Sequence, residues 1–109
     1  MADIDFEALV KDMGKAALPH LKGGASKAKK FGKAEADKLA RTAVMLAKGV
    51  AKGEIDKDEA KLILDVQKNA ARSVLLTIEG LGILAVERSI NAAMDVLKTT
   101  IQKVIKVAL

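Results

Sequence analysis

The fold is decided by residues 56–109, which read DKDEAKLILDVQKNAARSVLLTIEGLGILAVERSINAAMDVLKTTIQKVIKVAL. Asp56 stands three residues before Glu59, at the start of an apolar run, in the pattern of a capping box with Asp in the Ser/Thr role. No proline follows, and only Gly80 and Gly82 weaken the helical pattern. The segment therefore predicts either one very long helix or two helices with a kink near Gly80.

Small and apolar residues recur along this segment at steps of three and four, which predicts one continuous helix face: Ala71, Leu75, Ile78, Gly82, Val86, Ile90, Ala93, Leu97, Ile101, Val104 and Ala108. A second apolar set lies beside the first: Val74, Leu76, Leu81, Ile83, Leu84, Ala85, Ala92, Met94 and Val96. A helix so widely apolar requires burial on most of its sides. The Ala-rich helices that precede it have few large apolar side chains and are too small to cover all of its apolar surface. We therefore expect the uncovered part to contact another copy, another protein or a lipid surface.

The interface predicted from this pattern is a self-association surface on the first set. Its members are Leu75, Ile78, Val86, Ile90, Ala93, Leu97, Ile101 and Val104.

Helix formers dominate the rest of the chain, and no stretch alternates apolar and polar residues as a strand would. A short helix is expected after Asp3 and must end before Pro19, because the residue before a proline is disfavoured in the helical region. We predict an all-α single domain over residues 1–109, a small bundle or helical hairpin. It has about three helices, at roughly residues 4–18, 26–52 and 57–108, the last very long or kinked near Gly80 and Gly82.

The net charge of +5 is concentrated in residues 11–53, which hold eleven Lys or Arg against three acids. A solvated helix face is the commonest reason for such a cluster, and contact with nucleic-acid phosphates or anionic lipid headgroups is the functional alternative. The candidate residues for anionic-surface contact are Lys22, Lys27, Lys29, Lys30, Lys33, Lys38 and Arg41.

Catalytic and cofactor motifs are missing from the sequence. There is no cysteine, and His20, the single histidine, has no acid or second histidine nearby. Gly23 and Gly24 lack the Gly-Lys-Ser/Thr ending of a phosphate-binding loop. Only 2% of residues are aromatic, which disfavours base stacking and aromatic-lined pockets. We therefore expect no enzymatic activity, no metal and no cofactor.

The leading interpretation is a non-enzymatic helical interaction or assembly protein that forms a homo-oligomer or binds partner helices. In its overall character the chain is similar to small accessory or structural proteins of bacteria and phages. A peripheral membrane-binding protein is the alternative, and a non-specific DNA-binding protein is the third reading. The acidic N-terminus and the charges within residues 73–97 disfavour a signal peptide and a membrane span, so we expect a cytoplasmic location, with a membrane surface or a larger particle as the alternatives.

Overall fold

The computed structural model describes residues 4–21 and 25–109. Its helices are α1 (Phe6–Ala17), α2 (Ala25–Ala51), α3 (Lys57–Leu76) and α4 (Ile83–Val104). A single 3₁₀ turn, Leu18–His20, follows α1 and has Pro19 in its first turn. The described part of the chain contains no strand. The all-α class is confirmed, but the expected count of about three helices is wrong because the described residues form four.

The extra helix arises from a break between residues 77 and 82. Thr77 ends α3, and its Oγ1 donates a hydrogen bond to the Val74 carbonyl oxygen at 2.6 Å. Gly80 then adopts a φ of 92°, a left-handed conformation that a side chain disfavours. Gly82 has extended backbone and is the N-cap of α4. Of the two predicted alternatives for residues 56–109, the structure has two separate helices.

Side-chain caps begin two of the helices. The Asp56 carboxylate accepts hydrogen bonds from the backbone N–H groups of Asp58, at 3.1 Å, and Glu59, at 3.4 Å. Asp5 accepts one from the Ala8 N–H at 3.1 Å. Each cap satisfies amide donors that have no partner inside the helix. The capping signal at Asp56 therefore predicted the start of α3 correctly.

The four helices pack as an up-and-down bundle. The connections from α2 to α3 and from α3 to α4 are short, so each pair is antiparallel. The most extensive packing joins α1 to α4 and α2 to α3, and α1 also lies against α2. The Cα atoms span 43 × 25 × 16 Å, and the long dimension matches the length of the 27-residue α2.

One apolar core runs through all four helices. Its largest fully buried side chains include Met13 of α1, Leu64 of α3, and Val86, Leu97 and Ile101 of α4. The turn between α2 and α3 lies close against the end of α2. A Cβ on Gly49 would lie 2.9 Å from the Ile55 Cγ2 atom. Glycine at this position lets the turn after α2 fold back against the helix.

Candidate interaction surfaces

The residues predicted to form a self-association interface lie inside the bundle. Seven of the eight are buried, and Val104 is half-buried. The expectation that the N-terminal helices are too small to cover the C-terminal segment was wrong for this stripe. The 12-residue α1 places Leu9, Val10 and Met13 in the core and packs on α4. A second copy cannot reach these positions without opening the fold.

Exposed aliphatic side chains occur instead on the side of α3 that faces away from the core. Leu62 and Val66 are 66% and 64% exposed, and Ile63 is also exposed. With 3.6 residues per turn, Leu62 and Val66 lie on the opposite side of α3 from the buried Leu64. We call Leu62, Ile63 and Val66 the outer face of α3. The predicted apolar stripe did not include these residues, although their apolar character and their spacing were readable from the sequence.

A row of exposed residues lies on the side of α2 that faces away from the core. Lys38 and Met45 are seven residues apart and share that side, and Lys52 follows the end of the helix. All three are exposed, and Met45 is 66% exposed. On α3, Asp58 and Asp65 stand one turn before and one turn after Leu62, and the exposed Glu59 and Lys61 lie in the same turns. The apolar patch is thus flanked by exposed groups of both charges.

A second apolar group lies at one end of the bundle. Because the helices alternate in direction, this end carries the C-termini of α1 and α3 and the N-termini of α2 and α4. A shallow cleft there is lined by Lys27, Lys30 and Phe31 from α2 and by residues 77–79 from the α3–α4 turn. The 3₁₀ turn also packs against α4. Five of the nine exposed large hydrophobic residues belong to the segments that meet here: Leu18, Phe31, Leu76, Ile83 and Leu84.

The predicted basic cluster divides into two parts. Lys38 pairs with Glu35 at 3.3 Å, and Arg41 pairs with Asp37 at 2.8 Å and lies 5.7 Å from the centre of the Phe6 ring. The four lysines nearer the start of α2 form no ion pair with any described residue; they are Lys27, Lys29, Lys30 and Lys33. Lys22, the remaining predicted member, lies outside the described residues.

Buried polar groups in the described residues all have structural partners. Glu35 contacts Lys38, and the Ser89 hydroxyl donates to the Val86 carbonyl oxygen at 2.8 Å. Between α3 and α4, the partly buried side chains of Arg72 and Glu87 form an ion pair. No buried side-chain nitrogen or oxygen in the described part of the chain lacks a hydrogen bond. Each of these groups therefore has a role in the fold.

A half-open groove of about 1270 Å³ runs along α1 and α2. Buried side chains such as Val10, Met13 and Leu39 line it together with charged residues of both signs. His20 is exposed on the 3₁₀ turn, outside the residues that line this groove. Within residues 4–21 and 25–109, no group of three or more His, Asp or Glu side chains is arranged to hold a metal ion.

None of the helices in the described segments combines the length and the apolar character that a bilayer crossing requires. The chain matches no protein-family model, no curated protein and no solved structure. The exposed surfaces of the bundle therefore carry the argument about function.

Proposed function

We propose that this chain is a non-enzymatic helical interaction protein that self-associates through the outer face of α3. The observation that supports this proposal is the exposure of Leu62 and Val66, at 66% and 64%, on consecutive turns of one helix. Single exposed aliphatic residues are common on protein surfaces, whereas neighbouring ones on a helix face are the pattern of helix-in-groove and helix–helix contacts. Ile63 extends the same patch.

The charges around the patch favour a second copy as the partner. A two-fold interface must be complementary to itself, and the outer face of α3 has charges of both signs around its apolar centre: Asp58 and Asp65, with the exposed Lys61 between them. The aspartates of one copy can therefore pair with Lys61 of the other.

The proposed interface differs from the one predicted from the sequence. Leu97 and Ile101 are fully buried in the monomer, so they hold the chain together and contribute nothing to a surface. The residues on the outer face of α3 are free to bind without any change in the core. Their substitution is therefore expected to separate the copies while leaving each copy folded.

The test is light scattering coupled to size-exclusion chromatography. We expect wild-type protein to elute as a dimer or larger oligomer and the double variant Leu62→Ser/Val66→Ser to elute as a folded monomer. The matched control is Ile83→Ser/Leu84→Ser, which removes two equally exposed aliphatic residues, at 70% and 61%, from another surface. That control should keep the wild-type mass.

Circular dichroism should show the same helix content for all three proteins. A wild-type protein that stays monomeric up to its solubility limit would refute the proposal. An oligomer that persists in the α3 variant would refute the assigned surface.

A further inference from the structure

We propose that the end of the bundle where α2 and α4 begin binds the surface of an anionic phospholipid membrane. This surface is separate from the outer face of α3 and does not depend on self-association. We call it the basic end. Its exposed residues are Leu18, Lys27, Lys30, Phe31, Leu76, Ile83 and Leu84, and Lys29 and Lys33 lie on the adjoining side of α2, along the α1–α2 groove.

Apolar side chains at the basic end are placed as in a membrane-inserting tip. Ile83 and Leu84, in the first turn of α4, are 70% and 61% exposed. Leu76 ends α3 on the other side of the same turn, and Phe31 lines the cleft that faces this turn. A short cluster of this kind can enter the headgroup and upper acyl region while the helices behind it remain in water.

The lysines of the basic end are available for an external anion. Lys38 and Arg41, further along α2, have carboxylate partners, whereas Lys27, Lys29, Lys30 and Lys33 have none among the described residues. Lysines near an anionic bilayer each add about 1 kcal/mol of attraction, or roughly a fivefold gain in affinity. Glu79 is an exposed acid in the same cleft and opposes this attraction.

The mixture of cations and aliphatic residues favours a membrane over nucleic acid. DNA phosphates would meet the lysines, but a phosphate backbone offers nothing for Ile83 and Leu84 to pack against. Base readout favours bidentate Arg, and stacking needs several aromatic rings, whereas Phe31 is the one aromatic residue here. The sequence-based membrane alternative placed the α4 stripe in the bilayer. Those residues are buried, so the proposed contact uses the end of the bundle instead.

Co-sedimentation with vesicles tests the proposal. We expect wild-type protein to bind vesicles that contain 30% phosphatidylglycerol in phosphatidylcholine and to remain in solution with pure phosphatidylcholine. Lys27→Gln/Lys30→Gln should weaken binding by about 25-fold, at roughly fivefold per lysine. Ile83→Ser/Leu84→Ser should weaken it by about tenfold or more because aliphatic burial is lost. Glu79→Gln should strengthen binding by a few-fold.

The α3 variant, Leu62→Ser/Val66→Ser, is the control for self-association: each copy keeps its basic end, so it should still bind the anionic vesicles and not those of pure phosphatidylcholine. The same proteins should be titrated with a 30-base-pair DNA duplex. The membrane assignment would be overturned in favour of a general polyanion site by two results together. Lys27→Gln/Lys30→Gln would lose DNA and vesicle binding equally, and Ile83→Ser/Leu84→Ser would change neither. Wild-type protein that binds neither vesicle would also overturn it.

Discussion

The helices α3 and α4 have similar lengths, 20 and 22 residues, but they bury different numbers of side chains. Seven residues of α4 are buried, whereas only four of α3 are. α4 is covered by α1 in addition to its contacts with α2 and α3, while α3 packs mainly on α2. Two helices of similar length can therefore differ in role, because the neighbours of a helix decide how much of it remains exposed.

Shortening one leucine on each helix should give the largest contrast. Leu97→Ala removes a side chain with no exposed surface, and it should lower the free energy of unfolding by about 2–5 kcal/mol. Leu62→Ala should change it by less than about 0.5 kcal/mol, since that side chain is already in water in the monomer. Urea denaturation at low protein concentration measures both. Similar losses for the two variants would contradict the assignment of Leu62 to the surface.

A pair of glycines tests how tightly α3 is held at its start. Gly49→Ala should lower the free energy of unfolding by about 1–2 kcal/mol, because the new methyl group meets the branched Ile55 side chain at 2.9 Å. Gly14→Ala in α1 has nothing within 4 Å of its Cβ position and should raise the free energy of unfolding by about 0.5–1 kcal/mol. Thermal unfolding followed by circular dichroism compares the two. A stabilising Gly49→Ala would mean that the α2–α3 turn is looser than described.

The helical class, the cap at Asp56 and the break at Gly80 and Gly82 were predictable from the sequence because each depends on local chemistry. A capping carboxylate or a left-handed glycine acts within a few residues, so its signal is present in a short stretch. The pairing of Asp37 with Arg41 was equally readable, since residues four apart on a helix are neighbours.

Which element packs over α4 could not be predicted from the sequence in the same way. The sequence shows that Val86 and Leu97 must be buried, but it does not show whether α1 or a second chain buries them. The exposure of Leu62 and Val66 was not predicted, for the same reason. Leu62 and Val66 remain exposed because no helix packs against that side of α3, which is a property of the whole arrangement and not of residues 57–76.

The starts of α3 and α4 differ in a way that gives a smaller effect. Asp56→Ala should lower the free energy of unfolding by about 1 kcal/mol, because two backbone N–H groups lose their acceptor. Gly82 caps α4 without a side chain, and its Cβ position is open. Gly82→Ser should therefore raise the free energy of unfolding by a few tenths of a kcal/mol, roughly the difference between these residues at an N-cap. Urea denaturation measures both changes in the free energy of unfolding. Changes of the same sign in the two variants would refute this account of the two caps.

The ion pair between Arg72 and Glu87 joins α3 to α4, and its coupling energy should also be small. Both side chains are partly exposed, so water and salt screen their attraction. A double-mutant cycle with Arg72→Met and Glu87→Gln should yield a coupling energy of about 0.5 kcal/mol, and it should shrink at high salt. The cycle with Lys38→Met and Glu35→Gln is the comparison within one helix. A large coupling energy for Arg72 and Glu87 that does not change with salt would contradict this expectation. It would show that the α3–α4 contact is much less hydrated than the exposure of these side chains indicates, and that α3 is more fully packed than its burial suggests.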